Sequence, residues 1–74
     1  MRDLPIRGES IRLGQALKLS GLAESGGEAR ALVEDGAVTV NDELETRRGR
    51  QLRHGDVVVV GGEALRIEAP EGLA

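Results

Sequence analysis

Arg47, Arg48, Arg50 and Arg53 lie close together in the stretch TRRGRQLRHG, residues 46–55, with no acid among them. Guanidinium forks match the oxygens of phosphates and carboxylates bidentately, so such a cluster can bind anions. A second anion-binding signal lies upstream in Ser25-Gly26-Gly27-Glu28. Ser25 and Glu28 have the spacing of a capping box, which would open a helix at this point. The free N–H groups of that first turn, beside two glycines that allow close backbone approach, suit a phosphate. Each feature also has a purely structural reading. The arginines can form a solvated loop, Ser25 and Glu28 can simply cap, and the glycines can simply shape the chain.

Catalytic and metal chemistry find little support. His54 is the sole histidine and sits beside Gly55 in a turn signal. The chain has no cysteine, so thiolate metal sites and disulfides are excluded. A triad can be drawn on paper from Ser20 or Ser25 with His54 and Asp56, but nothing in their context supports it. The glycine-rich stretches lack the Gly-Lys-Ser/Thr ending of a P-loop. No enzyme activity, cofactor or metal is expected.

The anion-binding residues need a frame. Gly14 to Ser20, with Ala16 and Leu17, suits a first helix of about two turns that stops at Gly21. Lys18 would lie on its outer face. The second helix runs from its cap at Ser25 to Gly36, with Ala29, Leu32 and Val33 on one face and Arg30 within it. Only Leu22 to Glu24 separate the helices, which favours a compact αα pair. Val38-Thr39-Val40 then alternates as a half-buried strand, and Asn41-Asp42 is a turn signal. Leu44 and Thr46 begin a further strand, and Leu52 is the next apolar anchor. Val57 to Val60 is β-branched throughout and reads as a buried strand. Gly61-Gly62 suits a tight hairpin into Ala64-Leu65-Arg66-Ile67, with Leu65 and Ile67 inward and Arg66 outward. Ile11 to Leu13 can be a short strand or the lead-in to the first helix.

The expected architecture is α+β: two short helices packed on a small, mostly antiparallel sheet of about four strands. Residues 1–9 are expected to be a flexible segment, residues 10–69 the folded domain, and residues 70–74 a tail. A chain of 74 residues allows one domain. At this size only about 60% of the unfolded chain's surface is buried, and with no aromatic residue the core must come from Leu, Ile, Val and Ala. No apolar run approaches a membrane span, and the start MRDLPIRGES lacks the apolar core of a signal peptide. A cytoplasmic protein without membrane contact is expected, and in the absence of coiled-coil heptads a monomer.

The net charge of −3 by itself argues against a nucleic-acid partner. Its distribution argues otherwise. The 13 acids all lie outside residues 46–55, with Glu34, Asp35, Asp42, Glu43 and Glu45 just before them. One basic surface on an otherwise acidic molecule is the expectation.

These stretches resemble a known family. Ile11 to Leu22 (IRLGQALKLSGL), Glu24 to Ala29 (ESGGEA), Gly36 to Asn41 (GAVTVN) and Glu45 to Arg50 (ETRRGR) occur in the order found in the S4-type, or alpha-L, RNA-binding domain. They are most similar to its small stand-alone YbcJ-like bacterial members. The likeness covers roughly residues 9 to 68, and its strength lies in the ordered set rather than in any one piece. It implies a non-catalytic RNA-binding protein whose partner is structured RNA, ribosomal RNA or an assembly intermediate, with the ribosomal subunit as a further partner. It places RNA contacts at Lys18, Ser25, Gly26, Gly27, Arg30, Asn41, Arg47, Arg48 and Arg50, with Arg53 a further candidate from the basic stretch. The chain departs from basic relatives in having Glu28, Glu34 and Asp35 on the second helix, so the arginine loop would carry more of the electrostatics. Without aromatic side chains, bases cannot stack on the protein as they do on single-strand binders, which favours RNA read by backbone and shape. The alternative is a protein-interaction module whose arginine loop meets an acidic partner without RNA contact. A β-grasp sulfur carrier fits poorly, because Gly61-Gly62 is internal and the chain ends Glu71-Gly72-Leu73-Ala74.

Overall fold

In the computed structural model, residues 1–70 are described. The elements are β1 (Arg2–Pro5), β2 (Ser10–Arg12), α1 (Leu13–Leu19), α2 (Gly26–Glu34), β3 (Val38–Val40), β4 (Glu43–Leu44), β5 (Gln51–Arg53), β6 (Val57–Val60) and β7 (Glu63–Glu68). Five strands form one sheet in the order β1-β7-β6-β3-β4, and β2 and β5 form a separate two-stranded ribbon. All pairings are antiparallel except β1 with β7. The α+β class and the two short helices are as expected. The strands are more numerous, because β1, β2 and β5 take their places only through long-range pairing.

Both helices have physical stops and starts. Ser25 Oγ accepts the Glu28 N–H at 3.1 Å, and Glu28 Oε1 accepts the Glu24 N–H at 3.3 Å. This is the capping box, with its return bond one residue before the cap. At the other end, Gly36 has φ +75°. Gly36 N–H donates to Val33 O at 3.2 Å and Ala37 N–H to Leu32 O at 3.0 Å, the paired bonds of a Schellman stop. The helix thus turns directly into β3. The β6–β7 hairpin closes through Gly61 and Gly62, both at positive φ.

The core is wholly aliphatic. Leu13, Ala16 and Leu17 of α1 and Ala29 and Val33 of α2 meet Val38, Val40, Val58, Leu65 and Ile67 from the sheet. Alternation sets each strand's inward face: Val38 and Val40 are fully buried, while Thr39 between them is half-buried. Leu52 brings β5 into the same core, with Ile11 of β2 packed against it.

Residues 1–9 differ from the flexible segment expected of them. Arg2 to Pro5 pair in parallel with Leu65 to Glu68, and Leu4 and Ile6 join the core. Arg66 bridges to Asp3 at 3.0 Å, and the Arg2 guanidinium donates to the Ser20 carbonyl at the end of α1. A polar segment with Pro5 and Gly8 carries little local strand signal; two buried side chains and a neighbouring strand edge order it. The strand expected from Leu44 through Thr46 is shorter. It ends at Leu44 because Glu45 turns inward, and Leu44 itself is exposed. Of the expected C-terminal tail, residues 71–74 lie outside the described residues.

Candidate nucleic-acid interface

The basic loop between β4 and β5 is tied to the first helix through its backbone. Leu13 N–H donates to Arg50 O at 2.8 Å and Gly14 N–H to Arg48 O at 2.9 Å. No side chain caps α1, so these loop carbonyls satisfy donors that a helix start leaves open. Gly14 lies against the loop: a Cβ there would stand 3.6 Å from Arg48 O.

Inside the loop sits a buried carboxylate. Glu45 is 4% exposed. Its Oε2 accepts the Arg47 backbone N–H at 2.9 Å and Arg47 Nε–H at 3.1 Å, and its Oε1 accepts from Arg50 Nη1 at 3.0 Å. The Arg47 hydrogen bond is the main reason that the Glu45 pKa falls to about 2; burial opposes the shift, and Arg50 adds to it. The same contact raises the Arg47 pKa. By its place in the sequence, Glu45 belongs with the acids outside the basic stretch. The fold folds it back into that stretch, where it cancels one of the two charges on Arg47 and Arg50.

Arg48 has a different setting. With Arg12, Gln15 and Lys18 it lines an open cleft of about 410 Å³, floored by Gly14, Gly26, Ala29 and Gly49. Arg12, Lys18 and Arg48 have no ion-pair partner among the described residues, and no acid lines the cleft. The start of α2 forms one wall. Ser25 occupies the Glu28 N–H, and Gly26 and Gly27 lead the helix beside three cations. A Cβ on Gly26 would meet nothing within 4 Å, so the protein's own packing does not demand glycine there. Three free cations at a helix N-terminus form a site of positive potential that suits phosphate oxygens.

The candidates named from sequence therefore divide. Lys18, Gly26 and Arg48 come together at the cleft, with Ser25 and Gly27 adjoining. Arg47 and Arg50 stand next to it but are engaged by Glu45. Arg30 pairs with Glu34 at 3.0 Å on α2 and does not line the cleft. Asn41 lies in the β3–β4 turn, with its carboxamide used at both ends: Oδ1 accepts the Val57 N–H at 2.9 Å and Nδ2 donates to Asp56 Oδ1 at 3.1 Å. Arg53 lies on the β2–β5 ribbon. Sequence reasoning missed Arg12 and Gln15. Gln15 and Lys18 share one face of α1 at i, i+3, with Arg12 at its cap position, a spacing that could have flagged them.

The residues of the paper triad are spent on structure. Ser20 Oγ donates to Leu17 O at 3.0 Å, Ser25 caps α2, and Asp56 accepts from Arg53 N–H and Asn41. His54 Nδ1 accepts the Ala69 N–H at 3.1 Å, which ties down the end of β7. Among the described residues, no group of three or more His, Cys, Asp or Glu is placed to hold a metal. Among the described residues, no helix is long and apolar enough to cross a membrane.

Comparison with known proteins identifies the family. The S4 domain family model matches residues 4–68. A Bacillus subtilis (strain 168) protein named "Probable ribosome maturation protein RlbA" is 50% identical over 54 residues, which is 73% of this chain and 76% of that protein. An Escherichia coli (strain K12) protein named "Putative RNA-binding protein YbcJ" is 32% identical over 59 residues, 80% of this chain and 84% of its own length. The chain belongs to the S4 domain family.

Proposed function

We propose that this protein is a non-catalytic RNA-binding protein that grips structured RNA, ribosomal RNA or a ribosome assembly intermediate, in the cleft between α1, α2 and the arginine loop. The observation that carries this reading is the set of three cations, Arg12, Lys18 and Arg48, that gather around the α2 N-terminus with no ion-pair partner among the described residues. Family membership supports it, as do the names of the two relatives, one for ribosome maturation and one for RNA binding. A ribosomal partner would set its work in the cytoplasm.

In this reading Arg48 and Lys18 take phosphate oxygens, and the first-turn N–H groups of Gly26 and Gly27 take another. Arg47 and Arg50 serve first to shape the loop through Glu45 and add their remaining positive charge to its rim. With no aromatic side chain to stack on bases, the protein reads backbone and shape. Few phosphate contacts give modest affinity that falls steeply with salt.

The test is binding of the purified protein to ribosomal subunits and to in vitro-transcribed ribosomal RNA across a salt series. Binding that weakens with salt and is lost in a folded Arg12→Ala/Lys18→Ala/Arg48→Ala variant supports the reading. No binding to either at low salt refutes it and leaves a protein-docking role for the basic loop.

A further inference from the structure

The β2–β5 ribbon has a polar outer face that the cleft does not account for. Ser10 pairs with Arg53, Ile11 with Leu52 and Arg12 with Gln51. Side chains alternate along a strand, so the middle pair faces one way and the outer pairs the other. Leu52 is fully buried and Ile11 packs against the core, which turns Arg12, Gln51, Ser10 and Arg53 outward. Arg12, Gln51 and Arg53 are exposed. Arg12 and Arg53 are diagonal neighbours across the ribbon, about 7–8 Å apart at the backbone.

Two cations at that spacing repel each other. Neither has an ion-pair partner among the described residues. The acid nearest Arg53 in sequence, Asp56, is turned away: its Oδ2 accepts the Arg53 backbone N–H at 2.8 Å and its Oδ1 the Asn41 amide. The turn thus uses its carboxylate on the Arg53 backbone and the Asn41 side chain, not on the Arg53 guanidinium. The ribbon is also continuous with the cleft. Arg12 belongs to both, and Gln51 follows directly on the loop that carries Arg48.

We propose that the outer face of this ribbon is a second RNA-contacting subsite, over which the sugar–phosphate backbone runs on from the cleft. Arg12 and Arg53 take phosphates on either side of Gln51. The Gln51 carboxamide, both donor and acceptor, meets a 2′-hydroxyl between them, a contact that RNA offers and DNA lacks. This subsite rests on the RNA-binding reading of the cleft. It would lengthen the bound tract without any aromatic platform.

The experiment measures affinity for in vitro-transcribed ribosomal RNA from about 50 to about 200 mM salt, for the wild type and for Arg53→Ala, Gln51→Ala, Arg48→Ala and Arg66→Gln. Arg53→Ala is expected to weaken binding severalfold and to lower the slope of log K against log salt by about one. Gln51→Ala is expected to weaken binding with the slope unchanged, because it removes no charge. Arg66→Gln, on β7, where the guanidinium is paired with Asp3, is expected to match the wild type. If Arg48→Ala lowers the slope while Arg53→Ala and Gln51→Ala bind as the wild type does, the ribbon is a solvated face and the cleft reading stands alone. If the wild type itself does not bind, both readings fall. An RNA titration of the wild type followed by amide NMR shifts gives an independent readout that needs no variant to fold: shifts at Gln51 and Arg53 are expected, and their absence while Gly26 and Arg48 shift overturns the subsite.

Discussion

Glu45 holds Arg47 at two points with a single oxygen, Oε2, which accepts the Arg47 backbone N–H at 2.9 Å and its Nε–H at 3.1 Å. Oε1 takes Arg50 at 3.0 Å. One buried carboxylate thereby folds the Arg47 to Arg50 segment into a tight loop, whose Arg48 and Arg50 carbonyls in turn receive the first N–H groups of α1. A buried charge is costly unless paired and hydrogen-bonded. Here the arginines meet that requirement, and among the described residues no buried side-chain nitrogen or oxygen lacks a partner.

The depressed Glu45 pKa makes stability depend on acid. The folded value is about 2 against an ordinary 4.5, so the unfolded chain takes up the proton first as the pH falls. The stabilisation is fully present above about pH 4.5 and is lost as the pH drops through about 2. Urea unfolding across this window is expected to show a loss of stability that Glu45→Gln largely removes. An equal acid dependence in that variant would refute the assignment.

Arg47 and Arg48 are adjacent but are expected to differ in binding. Arg48→Ala removes an unpaired cation from the cleft, so the salt slope for RNA should fall by about one. Arg47→Ala removes a cation already shared with Glu45, so it should change the slope less and loosen the loop more. Salt-dependent RNA affinity, read beside loop amide exchange, separates the two effects.

Gly26 offers a division of stability from binding. A Cβ there meets nothing in the protein, and alanine is the better helix former by up to about 1 kcal/mol in helix interiors. Gly26→Ala is therefore expected to leave thermal stability unchanged or raised while weakening RNA binding, because the methyl group stands where a phosphate would approach the α2 N-terminus. A variant that binds RNA as tightly as the wild type would remove that terminus from the interface.

Asn41 is expected to act on stability. Its side chain bonds Val57 N–H and Asp56 and its backbone adopts φ 52°, a region Asn tolerates better than most residues. Asn41→Ala should cost about 1–3 kcal/mol in urea unfolding. RNA affinity measured under conditions where the variant remains folded should stay close to that of the wild type.

Local signals in the sequence were enough for the helices and the hairpins. The Ser25–Glu28 cap, the Gly36 stop, the Val38–Val40 alternation and the Gly61-Gly62 turn each depend on residues a few positions apart, and the structure keeps all of them. The ordered motifs also carried the family, because they span nearly the whole chain. Long-range contacts decided the rest. Arg2–Pro5 becomes a strand only because β7, at the other end of the described chain, supplies an edge and a pocket for Leu4 and Ile6. Which cations remain free was equally illegible. Arg47, Arg48 and Arg50 look alike in the sequence, and only the inward turn of Glu45 after β4 separates the two that it engages from the one that reaches the cleft. Arg12 joins Lys18 and Arg48 there because the loop packs on the start of α1, a contact between segments more than thirty residues apart. Capping and turn chemistry act over a few residues and can be read from order alone; charge pairing and strand edges depend on which distant groups the folded core brings within reach.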